Sequence, residues 1–425
     1  MTSRRPDHER VVATAWGALT PLGPDVESSF AAMAEGRSGI RDVTRFDTTN
    51  LFCTIAGELE DAWLWPEDHE YDVGGTGWRV GRQALHAALA MRPLDDIEDR
   101  ARIGVVLGGH GQNPDPDLVA QVLESFDGDH LDLRRFAGDA SHDSREFLRR
   151  QPDTVPALLA RAIDARGPIV PIVSACAAGS QAIGESARML RAGTIDVAVC
   201  GGFEPLLSWT TFFGFSVLGA LTRRYPSPQE ASRPFDRKRN GFVIAEGGGV
   251  IILETLAHAK AAGRTPLGEV LGYGDSADAY RITDPHPRGA GAVRAMKAAL
   301  ADAGLAPDAV EYVNAHGTST AVNDPVETAA IKEVLGDHAA TIPVSSNKSM
   351  IGHTIGGAGA LEAIMTWRGM QASLVLPTIN LKSPDRRCDL DYVPNEARDA
   401  KIRTTISNSF GFGGTNGSLI LRAFD

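Results

Sequence analysis

The feature that most restricts this chain is an alternation of two patterns along its whole length. Short runs of β-branched and apolar residues recur, and Ala-rich stretches of helical period lie between them. Val11 to Thr14, Ile103 to Leu107, Val197 to Cys200, Val250 to Leu253, Val310 to Val313, Ile342 to Ser345 and Ser418 to Leu421 all have the length and composition of strands. Ala292 to Ala303 places Val293, Met296, Leu300 and Ala303 on one helical face and stops at Gly304. Helices of this kind cover a sheet, so the pattern predicts an α/β fold.

An internal echo points to duplication. Val173-Ser174-Ala175-Cys176 leads from a strand into the helical stretch Ala177 to Leu190, and Val344-Ser345-Ser346-Asn347-Lys348 leads toward a second helix from Gly356 onward. The stretch from Leu256 to Gly268 separates two strand-like runs and is the natural seam between two halves, 1–256 and 257–425. Segments Glu58 to Asp72 and Asn113 to Arg150 are rich in charge and poor in strand pattern, and are expected to be surface loops and helices.

Composition removes several function classes. The 425 residues are 43% hydrophobic and 23% charged, which is enough for a large core and speaks against disorder. A net charge of −12 disfavours a nucleic-acid protein driven by phosphate neutralisation. There is no apolar run of about 18 residues, and Met1 to Arg10 lacks the apolar stretch of a signal peptide, so a cytoplasmic protein is expected. Cys53, Cys176, Cys200 and Cys388 are too few and scattered for a disulfide scaffold, and free thiols are expected. Neither a phosphate-binding glycine motif nor metal-ligand spacing occurs, so no cofactor and no metal are expected. Chemistry must come from side chains.

The strongest candidate is Cys176, in Ser174-Ala175-Cys176-Ala177-Ala178-Gly179-Ser180. A β-branched run, Ile169 to Val173, ends in small residues and an amphipathic helix follows, which puts the thiol at a helix N-terminus. There the dipole and the free N–H groups favour a thiolate. Two histidine loops offer partners: Asn314-Ala315-His316-Gly317-Thr318-Ser319-Thr320, followed by Asp324 and Glu327, and Lys348-Ser349-Met350-Ile351-Gly352-His353. Lys348 and Glu327 read equally as a surface pair or as a buried couple that sets the protonation of the site. In Asn408 to Gly417, glycines on both sides of Phe412 allow a tight turn that presents an N–H to a ligand; a β-turn with a core phenylalanine is the plainer reading.

Together these stretches, with Arg233-Pro234-Phe235-Asp236 and Gly241-Phe242-Val243-Ile244-Ala245-Glu246-Gly247, resemble the β-ketoacyl-ACP synthases, the condensing enzymes of fatty-acid and polyketide synthesis. The motifs run in family order from the middle of the chain almost to its end. The resemblance implies a thiolase-like, five-layer αβαβα fold of two similar halves. It implies that Cys176 takes an acyl group from a thioester. His316 and His353 would hold the malonyl thioester carbonyl during decarboxylation, and the resulting carbanion equivalent would attack the acyl-Cys to give a 3-oxoacyl thioester. The backbone N–H groups of Cys176 and Phe412 would form the oxyanion hole, with Phe412 also gating the acyl pocket. Lys348, Asp324 and Glu327 would support the histidines.

A thiolase would need a second cysteine in a Gly-rich loop, and Cys388 sits instead in Arg386-Arg387-Cys388-Asp389. A chain-length factor would have lost Cys176. The other readings are a condensing-enzyme fold that serves only as an assembly or decarboxylating subunit, and, third, a thiolase. The resemblance is poor between Gly108 and Arg166, where Gly109-His110-Gly111-Gln112-Asn113-Pro114 departs from the usual pattern. The expected partner is an acyl carrier protein, with Arg223 and Arg224 as its contact, and the expected assembly is a homodimer or a heterodimer with a chain-length-factor homologue. The pathway expected is a polyketide or specialised fatty-acid one.

Overall fold

In the computed structural model, residues 5–67, 75–111, 113–114, 116–138 and 144–424 are described. Outside them lie Met1 to Arg4 of the N-terminal reading, residues 68–72 of the charged Glu58 to Asp72 stretch, and Gln112 and residues 139–143 of the segment where the resemblance fails.

Ten strands form one continuous sheet. The first half of the chain supplies β1 (Val11–Leu19), β2 (Ile103–Gly108), β3 (Ile169–Ile172), β4 (Val197–Glu204) and β5 (Gly247–Thr255). The second half supplies β6 (Gly268–Ala277), β7 (Tyr312–Asn314), β8 (Val344–Ser345), β9 (Thr404–Phe410) and β10 (Thr415–Arg422). Their order across the sheet is β8-β7-β9-β10-β6-β1-β5-β4-β2-β3. Each strand of the first half therefore has a counterpart five places later, and the two sets join where β1 pairs with β6 at Val11 and Val270. The pairing senses repeat as well. β2 runs parallel to β3 and β4, as β7 does to β8 and β9, and β4–β5 and β9–β10 are antiparallel.

The helices repeat the same plan. α1 (Gly75–Met91) precedes β2, α2 (Ala178–Arg191) follows β3, and α3 (Trp209–Val217) follows β4. α4 (Ala290–Ala303) precedes β7, α5 (Asn323–Leu335) lies between β7 and β8, and α6 (Ala358–Ala372) follows β8. α4 matches the predicted helix with its expected face inward: Val293, Met296 and Leu300 are buried, Ala303 packs at the edge, and Gly304 caps the end with φ +64.

Side-chain alternation along the strands builds the layers. Val250 and Ile252 of β5 face an outer core with Trp78 and Leu85 of α1, whereas Ile251 and Leu253 face inward to Ile183 and Ala187 of α2 and Ile364 of α6. In the second half, Ile420 packs outward on Met296 and Ile331 while Leu419 and Leu421 face the same inner core. The result is the αβαβα stack expected, with α2 and α6 in the middle. α6 is apolar almost all round because it is covered on nearly every side. The two central helices approach so closely that only glycine fits. A Cβ on Gly179 would stand 2.7 Å from the Gly356 carbonyl oxygen, and one on Gly359 2.4 Å from the Ser180 nitrogen.

One sequence expectation changes. Glu58 opens a stretch expected at the surface, yet it is buried, accepting from the N–H and hydroxyl of Thr44 at 3.0 Å and pairing with Arg45; a charged residue leaves water here because cationic and polar donors satisfy it. The Leu256 to Gly268 seam begins with a helix, Leu256–Ala261, whose Leu256 and Ala259 are buried. Surface helices do follow β2: Pro116–Glu124 has no buried residue. No helix among the described residues is long and apolar enough to cross a membrane.

Candidate active site

The loops that leave β3, β7, β8 and β9 gather at one end of the sheet. Cys176 sits in a single 3₁₀ turn, Ala175–Ala177, that runs straight into α2. Ala175 before it is left-handed, with φ +48, a conformation that a non-glycine residue holds only when its surroundings enforce it. The thiol is thereby aimed into a cavity of about 420 Å³ that is also lined by His316, His353, Phe242, Thr318, Thr320 and Phe412.

Geometry unites the three chemical candidates. One ligand atom each from Cys176, His316 and His353 lie within 4.8 Å of one another. His353 Nε2 is 3.0 Å from Cys176 Sγ, and the two imidazoles meet edge to face with centroids 5.3 Å apart. The N–H of Ile355 donates to His353 Nδ1 at 3.3 Å, so the proton of the neutral ring resides on Nε2 and points at the sulfur. Burial, with the Lys348 charge, holds His353 well below its ordinary value; the same causes and the neighbouring His353 do so for His316. Both rings are neutral at neutral pH.

The thiol departs from the sequence expectation. The helix N-terminus is where it was expected, but burial outweighs it and pushes Cys176 up to about 12, against the pull of the Lys348 charge and the N–H groups of Phe412 and of Cys176 itself. The resting group is a thiol, and it ionises as it reacts. Those two N–H groups converge on the sulfur, where an oxyanion hole for an acyl group on Cys176 would lie. The Phe412 loop gains its shape from Gly413 (φ +81) and Gly414 (φ +73), and the Phe412 ring tilts against Phe215, centroids 6.3 Å apart.

The supporting residues divide their work. Glu327 is buried and accepts from the backbone N–H groups of His316 and Gly317, both at 2.8 Å, so it fixes the first histidine loop. Asp324 accepts from the Phe235 N–H at 2.8 Å, lies 3.5 Å from Arg239, and also accepts from the backbone N–H of Ser319 in the His316 loop. Lys348 is buried, which excludes the surface-pair reading, and its ammonium pairs with Glu362 instead of Glu327. Glu362 went unnoticed in the sequence because its partner is 14 residues away; the signal was the one carboxylate in a helix of mostly buried residues. Arg223 and Arg224 are exposed beside Leu218–Ala220, at the cavity mouth, with Arg223 stacked on Phe52 at 4.9 Å. The four cysteines are free, and Cys388 is packed in the outer core with Tyr392, away from the cavity.

The chain is similar to known proteins along nearly its whole length. Residues 8–259 match the family description "Beta-ketoacyl synthase, N-terminal domain", and residues 267–382 match "Beta-ketoacyl synthase, C-terminal domain". The chain is 40% identical to 3-oxoacyl-[acyl-carrier-protein] synthase 2 of Synechocystis, covering 98% of this chain and 99% of that protein. Among solved structures, a β-ketoacyl synthase from Burkholderia phymatum superposes with a TM-score of 0.87 at 35% identity, over 98% of this chain and 100% of that one. A type II polyketide ketosynthase solved with its acyl-carrier protein gives 0.85 at 31% identity (98% and 99% covered). The ishigamide ketosynthase/chain length factor gives 0.84 at 34% identity (98% and 99% covered).

Proposed function

The chain belongs to the β-ketoacyl synthase family, and we propose that it performs the family's decarboxylative condensation through Cys176, His316 and His353. It is a β-ketoacyl-ACP synthase, an acyltransferase. The observation that carries the assignment of residues is the convergence of one sulfur and two neutral imidazoles within 4.8 Å at the end of a cavity.

In the first half-reaction the Cys176 sulfur attacks the carbonyl of an acyl-ACP. The carrier's thiol leaves with a proton, and the acyl group stays on Cys176. The N–H groups of Cys176 and Phe412 hold the oxyanion, each worth roughly 3–4 kcal/mol if it behaves like measured oxyanion donors. In the second, malonyl-ACP places its thioester oxygen against His316 and His353. Neutral N–H donors stabilise the negative charge that grows there as CO2 departs, without a cation that would hold the carboxylate back. The carbanion carbon then attacks the acyl-Cys carbonyl, the C–S bond breaks, the sulfur recovers a proton, and a 3-oxoacyl-ACP is released.

An acyl carrier protein is the partner that delivers both thioesters, with the acyl chain belonging to a polyketide or specialised fatty-acid pathway. Arg223 and Arg224 at the cavity mouth offer it cationic contacts. β3 is an open edge of the sheet, and its first residue Ile169 and the following Val173 are 42% and 52% exposed, so a second subunit, identical or a chain-length-factor homologue, would cover that edge. Incubation with acyl-ACP followed by mass spectrometry should add the acyl mass to Cys176, and Cys176→Ala should abolish condensation. Failure of every acyl donor to label Cys176, with malonyl decarboxylation intact, would favour a non-condensing subunit instead.

A further inference from the structure

Strand register shows that the catalytic end of the molecule has a third histidine loop. Gly108 of β2 lies opposite Ile172 and Gly202, and Asn314 of β7 lies opposite Ser345 and Ser407 in the same way. Gly108 and Asn314 are therefore equivalent, and two residues beyond them stand His110 and His316. The same register makes Glu204, the last residue of β4, the counterpart of Ser409.

His110 is turned to a different task. Its Nδ1 lies 2.7 Å from Glu204 Oε1, and its backbone N–H donates to the same oxygen at 3.1 Å. Glu204 is only 1% exposed, and it also accepts from the backbone N–H of Gly356. Gly356 follows Ile355, whose own N–H holds His353 Nδ1. Ile355 is left-handed, with φ +44, the same conformation as Ala175 at the start of the other central helix. A non-glycine residue in that region costs on the order of 1–3 kcal/mol and needs fixed partners on both sides. The carboxylate is one of them. A Cβ on Gly356 would come within 2.6 Å of Glu204 Oε1, which shows how tightly the turn is drawn onto it.

We propose that His110 and Glu204 are a positioning pair for the condensation: His110 clamps Glu204, Glu204 holds the Ile355–Gly356 turn, and that turn sets the ring of His353 against Cys176. His110 also supplies the cation that offsets a buried negative charge near the nucleophile. The hydrogen bond to Glu204 raises His110 above its ordinary value, against the desolvation of the ring. The charged and titratable groups that face Cys176 are Lys348 with Glu362 on the α6 side, His316 and His353 on their loops, and Glu204 with His110 behind. The inference rests on the roles given above to Cys176 and His353.

The test uses the full-length enzyme and the variants His110→Gln, Glu204→Gln and the double variant, each corrected for the fraction of active sites. Iodoacetamide alkylation of Cys176 is followed against pH, and malonyl decarboxylation and condensation give kcat and KM. In His110→Gln the Glu204 charge is left without its cation, which disfavours the thiolate. Its alkylation profile should move up by about one pH unit, roughly a tenfold loss of reactivity at fixed pH. Its kcat should fall by a similar factor with KM for malonyl-ACP unchanged. The double variant removes both charges and should return the alkylation profile toward that of the unsubstituted enzyme. Variants that lose thermal stability but keep profile and kcat, or a double variant no better than His110→Gln, would overturn the proposal. If the unsubstituted enzyme neither condenses nor decarboxylates, the functional reading falls, and the alkylation profiles still decide the role of the pair.

Discussion

The two halves of the molecule carry the same strands in the same order, but their loops differ in kind. After β3 the first half places Cys176, the proposed nucleophile, in the turn Ala175–Ala177 that opens α2; the turn that opens α6, Ile355–Gly357, has Gly356 in that place. After β2 it places His110, bound to a buried carboxylate, where the second half places His316, whose buried Nδ1 has no hydrogen-bond partner among the described residues. After β4 it ends in Glu204, and after β9 in the polar Ser409 and the glycine-rich Phe412 loop. In the proposed reaction the first half supplies the sulfur to be acylated, with His110 and Glu204 beside it, and the second supplies two neutral imidazoles together with the buried Lys348–Glu362 pair. One ligand atom each from Cys176, His316 and His353 lie within 4.8 Å of one another.

This division can be broken most severely at the first histidine loop. His316→Ala removes a donor to the thioester oxygen, and malonyl decarboxylation should fall by about 10²–10³-fold, read as CO2 release from malonyl-ACP. The counterpart in the first half, His110, should cost far less when replaced. Equal losses at both positions would dissolve the distinction between donor and positioning residue.

The next largest effect is on stability. Lys348→Met leaves Glu362 buried without its cation and should destabilise the fold by about 3–5 kcal/mol, measured by urea unfolding, with Glu362→Gln in the same chain recovering part of the loss. A smaller effect would show where the halves are alike. Gly179→Ala on α2 drives a methyl toward the Gly356 carbonyl of the facing turn, and an overpacking loss of about 1–3 kcal/mol is expected in thermal unfolding. Gly359→Ala, on the symmetric side of the same crossing, should behave alike.

Much of this was legible in the chain, for reasons that differ by element. Cys176, His316, His353 and Phe412 stand in short motifs whose glycines and small residues are local signals of a turn. The helix Ala290–Ala303 could be read because its period is complete within one segment. β9 was missed because Thr405, Ser407 and Ser409 are polar, and a strand rich in hydroxyls reads as a loop; here Ser407 and Ser409 are satisfied by Asn314 and Ser180. β6 is the strand-like run after the Leu256 to Gly268 seam, and its Gly272 and Gly274 are required where α4 crosses within 2.4 Å of their missing Cβ atoms. The partners of charged groups were the least legible. Lys348 with Glu362 and His110 with Glu204 depend on which strands lie side by side, and register between distant segments is not written in either one. Cys176 shows the complementary limit: its sequence context announces a helix dipole, but not the depth of burial that outweighs it.

The pairing of β1 has a consequence for how the chain is made. Its neighbours on either side are β5 and β6, so the strand that begins at Val11 finds its partners only when residues beyond Gly247 have emerged. At a translation rate of 5–20 residues per second that is a wait on the order of ten to fifty seconds. Throughout it an apolar strand, Val-Val-Ala-Thr-Ala-Trp-Gly-Ala-Leu, lacks both of its neighbours. Contacts so distant in sequence are closed late and slowly. The newborn chain therefore passes through a period in which its first strand is its stickiest, and yield in a cell should depend on what shields that segment, as much as on the stability of the finished enzyme.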